Sequence, residues 1–134
     1  MLIIDDNEAL GELTKLIFEQ LGQVVYTATT GAQGRRLLQQ LQPDVVVCDV
    51  NLPDESGYDL LSKVRAKLGA SHPPFVFLTG GPGIDTDSCR RLGAAAVLPK
   101  PYPMRELSKL VGMLHLHPHA TAVPMQNAFL KLSM

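Results

Sequence analysis

The chain has 134 residues, 46% of them apolar, and its 12 basic and 13 acidic residues give a net charge of −1. This length suits one domain with a hydrophobic core, and the composition argues against disorder. The near-zero charge offers no electrostatic reason to bind nucleic acid or an anionic membrane. We find no apolar run of about 18 residues and no signal peptide, so we expect a cytoplasmic protein without a membrane span.

Apolar runs and helical periodicity alternate along the chain. Short apolar runs predict strands at residues 2–4, 24–28, 45–49, 75–79 and 94–98. Helical spacing predicts helices at residues 8–21, between Thr30 and Pro43, at 57–68, at about 84–92, and from Met104 to Leu114. Strands that alternate with helices over short loops require right-handed crossovers, which produce a parallel sheet covered on both faces. The expected fold is therefore a doubly wound α/β domain.

The same patterns predict which side chains face the core. In the first helix these are Leu10, Leu13, Ile17 and Leu21, and in the third they are Leu60, Leu61, Val64 and Leu68. Cys48 and Cys89 lie outside any Cys-x-x-Cys motif, so we expect two buried thiols. Beyond His115 the pattern ends, which predicts a domain over residues 1–115 and a tail or linker over residues 116–134.

Polar residues stand where the predicted strands end. Asp5 and Asp6 follow the first strand, Asp49 and Thr79 end the third and fourth, and Lys100 follows the fifth. In a parallel sheet these ends share one edge, where three carboxylates and one ammonium leave excess negative charge. Mg²⁺ is the natural counterion for such an oxygen set. Asp49 is then placed as a nucleophile toward a phosphoryl group, with Lys100 and Thr79 to hold its oxygens. Singly, Asp5 and Asp6 are as well explained as caps of the first helix.

The set Asp5-Asp6, Asp49, Thr79 and Lys100-Pro101 resembles the receiver domain of bacterial two-component response regulators. The segment from Asp49 to Gly57 is similar to the loop that follows that family's phosphoacceptor, and the resemblance covers residues 2–115. It implies a flavodoxin-like fold with strand order 2-1-3-4-5. It also implies a signalling domain rather than an enzyme, which accepts a phosphoryl group from a histidine kinase or phosphotransfer protein.

The resemblance assigns a role to each residue of the set. Asp49 would be the phosphoacceptor, and Asp6 and Asp49 would bind Mg²⁺ together with the backbone carbonyl of Asn51. Asp5 would assist, often through water. Thr79 would be the switch hydroxyl, and Lys100 would pair with the phosphoryl group before a Lys100–Pro101 bond that is cis in the family.

Two features depart from the family pattern. Val97 stands three residues before Lys100, where the family often has a Tyr or Phe that changes rotamer on phosphorylation. The loop at residues 80–83 is rich in Gly and Pro, so we expect the signal to pass through this loop and the fourth helix. The resemblance places the responsive face, and any homodimer contact, on helix four, strand five and helix five. A downstream effector or an attached output domain would bind there.

Two other functions remain open at this point. The missing aromatic at Val97 favours an interaction module that keeps the fold without using phosphorylation, although the complete acidic set argues against it. A phosphohydrolase with an aspartyl nucleophile is disfavoured because Asn51 cannot act as a general acid and no insertion could form a cap.

Overall fold

One parallel sheet forms the centre of the molecule. The structure, a computed structural model, describes residues 1–80, 86–116, 121–124 and 130–133. The sheet contains β1 (Leu2–Ile4), β2 (Tyr26–Ala28), β3 (Val46–Asp49), β4 (Phe75–Thr79) and β5 (Ala96–Pro99), in the order 2-1-3-4-5. Every neighbouring pair is parallel. The predicted fold class and strand order are confirmed.

Five helices connect and cover these strands. They are α1 (Glu8–Gln20), α2 (Gly31–Leu41), α3 (Gly57–Leu68), α4 (Thr86–Arg91) and α5 (Met104–Leu116). The side chains of Asn7, Thr30 and Ser56 cap the first three, each accepting a hydrogen bond from the backbone N–H three residues on. Of the predicted 84–92 helix, the described part is α4, because residues 81–85 lie outside the described residues.

The core consists of two layers, one on each face of the sheet. Because neighbouring residues of a strand point to opposite faces, Ile3 and Val47 belong to one layer and Leu2 and Val46 to the other. The first layer receives its helical side chains from α1 and α5, namely Phe18, Leu107, Leu110, Val111 and Leu114. The second receives them from α2 and α3, namely Leu38, Leu60, Leu61 and Val64, together with the predicted buried thiols Cys48 and Cys89.

The predicted inward face of α1 is wrong by about one position. Leu13 and Leu21 are 51% and 60% exposed, whereas Gly11, Thr14 and Phe18 are the buried residues of this helix. Of these three, Phe18 contributes a large side chain to the core layer on this face of the sheet. Leu68 at the end of α3 is likewise 42% exposed rather than buried.

A pair of short strands follows α5. β6 (Thr121–Pro124) and β7 (Leu130–Ser133) pair antiparallel, in the segment where the sequence pattern predicted no strands. Backbone contacts place β6 beside β5 and α4. Among the helices that the structure describes, none has both the length and the apolar character needed to cross a membrane.

Candidate functional site

The carboxyl ends of the strands bring the predicted residues together at one edge of the sheet. Asp5 follows β1, Asp49 is the last residue of β3, and Thr79 is the last residue of β4. Thr79 pairs in register with Pro99 of β5, and the next residue, Lys100, donates its backbone N–H to the Thr79 carbonyl over 2.6 Å. The sheet topology therefore brings the backbone positions of these four residues to the same edge of the sheet.

Three carboxylates form a cluster at this edge. One oxygen from each of Asp5, Asp6 and Asp49 lies within 4.8 Å of the others, an arrangement that could hold a metal ion. Asp5 and Asp49 are buried, whereas Asp6 is exposed. The backbone N–H of Asn7 donates to Asp5 Oδ1 over 2.9 Å, and that of Asn51 donates to Asp49 Oδ1 over 3.2 Å. The second oxygen of each buried carboxylate, Oδ2, lies near the Lys100 ammonium.

The cation of the site is the Lys100 ammonium. Its Nζ lies 3.0 Å from Asp49 Oδ2 and 3.6 Å from Asp5 Oδ2. Burial opposes the charge of Lys100, but the hydrogen bond to Asp49 and the charges of both aspartates outweigh it and raise the pKa. The pKa of Asp5 is also raised, chiefly by burial, which the Asn7 N–H and Lys100 only partly offset. One ammonium thus faces three carboxylates, and the site retains excess negative charge.

Among the residues that the structure describes, none forms a hydrogen bond with the hydroxyl of Thr79. Its Oγ1 is buried. A buried hydroxyl without a partner costs about 1–3 kcal/mol relative to one that is satisfied. This cost makes Thr79 ready to bind an oxygen that arrives at the site.

The segment between β3 and α3 is folded tightly against the site. The Gly57 N–H donates to the Val50 carbonyl over 2.7 Å, and Asn51 and Ser56 form an isolated antiparallel bridge. A Cβ atom on Gly57 would lie 2.6 Å from the Asp49 carbonyl oxygen and 3.0 Å from the Phe77 ring. Only glycine fits at this position without displacing the backbone of the phosphoacceptor candidate.

The tip of this segment is attached to the start of α2, a contact that sequence reasoning missed. Both carboxylate oxygens of Asp54 accept backbone N–H groups, from Gly31 over 2.8 Å and from Ala32 over 2.9 Å, and these bonds lower the pKa of Asp54. Glu55 forms ion pairs with Arg35 of α2 and Lys63 of α3. The sequence signals of this contact are weak. They are the start of α2 at Gly31, which favours a negative charge, and the acidic pair Asp54-Glu55 more than 20 positions later.

Val97, the first departure from the expected pattern, occupies an ordinary packing position, whereas residues 81–83 of the second, the loop at residues 80–83, lie outside the described residues. Val97 is 3% exposed and belongs to the core layer that contains Phe77 and Cys89. Tyr102 is half-buried against the other layer, and burial raises its pKa. The Lys100–Pro101 peptide bond is cis, as predicted.

The parallel five-stranded order, the acidic edge and the lysine after β5 define the class of receiver domains. A family profile described as "Response regulator receiver domain" matches residues 1–112. The receiver domain of Francisella response regulator 1452 superposes with a TM-score of 0.80 at 25% identity, covering 87% of this chain and 95% of that one. The non-phosphorylated HemR receiver domain from Leptospira biflexa gives a TM-score of 0.76 at 33% identity, covering 84% and 90%.

Among curated proteins, the cell cycle response regulator CtrA of Brucella ovis is 34% identical over 109 residues, which is 80% of this chain and 46% of CtrA. The chain therefore spans about half the length of the curated relatives that it matches. It belongs to the response regulator receiver domain family of two-component signalling, whose members are signalling domains rather than classical enzymes.

Proposed function

We propose that Asp49 accepts a phosphoryl group from a histidine kinase or a phosphotransfer protein, and that this changes the affinity of the domain for its partners. One observation carries the proposal. The carboxylates of Asp5, Asp6 and Asp49 converge within 4.8 Å, and Lys100 lies 3.0 Å from Asp49. A nucleophile, an incomplete charge balance and a cation are thus assembled at one sheet edge.

The residues at this edge fit Mg²⁺. Asp5, Asp6 and Asp49 would hold it together with the backbone carbonyl of Asn51, all of them hard oxygen donors. The excess of two negative charges over the Lys100 ammonium supports a divalent rather than a monovalent ion. When bound, Mg²⁺ supplies positive charge that offsets the repulsion between these carboxylates and an incoming phosphoryl group.

The transfer step uses side chains of this chain. A carboxylate oxygen of Asp49 attacks the phosphorus of a phosphohistidine, forming an O–P bond as the P–N bond to the imidazole breaks. Lys100 keeps its charge and pairs with a phosphoryl oxygen. The buried, unpartnered Thr79 hydroxyl donates to another. The free energy gained when this hydroxyl acquires a hydrogen-bond partner favours the phosphorylated arrangement.

The affected surface comprises α4, β5 and α5, which border the side of the site that carries Thr79 and Lys100. We propose that a downstream effector, an attached output domain or a second copy of the domain binds there. Because the residue at this position is the buried, aliphatic Val97, no aromatic side chain there changes rotamer on phosphorylation. The signal passes instead from Thr79 through the following loop, whose residues 81–85 lie outside the described residues. We place the receiver domain at residues 1–115 and assign residues 116–134 to a tail or linker.

Beryllofluoride, which mimics the aspartyl phosphate, tests the proposal in an NMR titration with Mg²⁺. We expect amide shifts around Thr79 and Lys100 that require Mg²⁺ and are lost in Asp49→Ala. Asp59→Ala is the matched control, because Asp59 is an exposed carboxylate on α3 outside the site. Acetyl phosphate should give the same shifts and a covalent mass increase at Asp49.

The second candidate is an interaction module that does not use phosphorylation, and the buried aliphatic Val97 is the observation that favours it. It predicts that a partner binds Asp49→Ala and wild type equally, with or without beryllofluoride. A folded wild type that gives no shifts at millimolar beryllofluoride and Mg²⁺ would overturn the phosphoacceptor proposal in favour of this one.

A further inference from the structure

A cleft separates α2 and α3 on the side of the molecule away from the acidic edge. Its volume is about 910 Å³, and it extends to the segments that precede β3 and β4. Its apolar lining comes from both helices and from three prolines, namely Leu38, Val64, Leu68, Pro43, Pro73 and Pro74. Prolines hold this wall rigid because their φ angle is fixed. The backbone of this wall is therefore more restricted than that of an ordinary loop.

The rim of the cleft is strongly basic. Arg35 and Arg36 of α2 stand on one side, and Lys63 and Lys67 of α3 on the other. Asp44 is the only carboxylate residue of the lining. In a chain of net charge −1 with 12 basic residues, four cations at one cleft are a local concentration that the composition does not predict.

Two of these cations share one carboxylate, and the other two have no ion pair within the described residues. Glu55 lies between Arg35 and Lys63 and forms an ion pair with each, at 3.6 Å for Lys63. Arg36 and Lys67 are exposed, and within the described ranges no carboxylate approaches either of them to 4.0 Å. After Asp44 and Glu55 are counted, the rim keeps a net positive charge carried by these two residues.

The dimensions of the cleft favour a small molecule over a docked helix. The lining residues of α2 and its C-cap run from Arg35 to Gln42, about 10 Å at the helical rise of 1.5 Å per residue. A docked helix of three turns would need about 16 Å by the same measure. The volume lies in the range of small-molecule sites, about 300–1,000 Å³.

We propose that the α2–α3 cleft binds a small organic anion. An aromatic ring or short aliphatic body of the ligand packs against the exposed Leu68 and the half-buried prolines of the cleft, and its carboxylate, sulfonate or phosphate group is held by Arg36 and Lys67. Apolar burial provides most of the affinity, and the two cations select an acid over its neutral analogue. The site is separate from Asp49, so its occupation does not require phosphorylation.

Naphthalene-2-sulfonate is a suitable probe, followed by amide shifts in a ¹⁵N-labelled chain. Naphthalene-2-methanol has a similar apolar body without the charge, and inorganic sulfate carries the charge without the body. We expect saturable shifts confined to residues of α2, α3 and the segments before β3 and β4. The sulfonate should bind at least tenfold more tightly than either analogue.

Charge removal on the rim provides the second test. Arg36→Gln and Lys67→Gln should each weaken sulfonate binding about threefold, and the double variant about tenfold, if each charge contributes as exposed pairs usually do. Arg105→Gln and Lys109→Gln are matched controls, because both residues are exposed on α5, against the opposite face of the sheet. Asp49→Ala should bind the probe like wild type.

Three results would overturn the proposal. The first is equal binding of the sulfonate and its neutral analogue, and the second is equal loss of binding in the α5 controls. The third is an acidic helical peptide that shifts the same residues at a concentration tenfold lower than the sulfonate, since the cleft would then be a protein-docking site.

Discussion

Gly57 offers a sharp test of how tightly the loop after Asp49 is packed. An alanine Cβ at this position would meet the Asp49 carbonyl oxygen at 2.6 Å and the Val50 Cα at 3.1 Å. Both are backbone atoms, so the clash cannot be relieved by a rotamer change, and overpacking of this kind costs about 1–3 kcal/mol. Alanine returns at most about 1 kcal/mol of helix propensity. The expected net loss for Gly57→Ala is about 1–2 kcal/mol.

Urea unfolding followed by circular dichroism measures this loss. With a slope of about 2 kcal/mol/M, the midpoint of Gly57→Ala should fall by about 0.5–1 M. Gly112→Ala is the matched control, because a Cβ there has no neighbour within 4 Å, and its midpoint should rise by about 0.5 M from helix propensity alone. If Gly57→Ala is as stable as wild type while Gly112→Ala behaves as expected, the close approach of Gly57 to Asp49 is wrong.

Three further predictions follow from residues at or near the site. Thr79→Val should raise the free energy of unfolding by about 1–3 kcal/mol, because it removes a buried hydroxyl that has no partner among the described residues; it should abolish the beryllofluoride shifts at Lys100, which Thr79→Ser should retain. Asp5 has a raised pKa in the folded chain, so the folded state keeps this proton to higher pH than the unfolded state, and stability falls as pH rises from the ordinary pKa through the raised one. In EDTA, the melting temperature of Asp5→Asn should therefore gain on wild type as pH rises through that window, and a constant difference would contradict the assignment. Leu13→Ser should change stability by less than about 0.5 kcal/mol, whereas Phe18→Ala should cost about 3–5 kcal/mol; urea midpoints that reverse this order would restore the original prediction for α1.

Local signals explain why the sequence predicted so much of the fold. The bounds of α3 were predicted correctly because Ser56 is a strong N-cap and Gly57 begins the helix. The acidic edge was predictable for a different reason: parallel strands must end on the same side, so Asp49, Thr79 and Lys100 meet wherever the strand order is 2-1-3-4-5. Such inferences need only short-range preference and topology.

The sequence predictions failed where contacts between distant segments determine the structure. On α1, the prediction followed Leu13 and Leu21, which the structure exposes, and hydrophobicity gives no weight to Gly11 or Thr14, which are buried. The attachment of Asp54 to the start of α2 joins residues more than 20 positions apart. No periodicity encodes that contact. The pairing of β6 with β7 was missed because each strand has only four residues, and although β7 alternates between apolar and polar residues, β6 does not.

The closed loop between β3 and α3 has a consequence for metal affinity. Because the Asn51–Ser56 bridge and the attachment of Asp54 to α2 hold the loop in one conformation, the Asn51 carbonyl is preorganised. The conformational entropy of the loop is lost when the domain folds, so little more of it is lost when a ligand binds. In the Mg²⁺ site that we propose, ion affinity therefore depends on the rigidity of this loop, and substitutions at residues that never touch the ion would change that affinity.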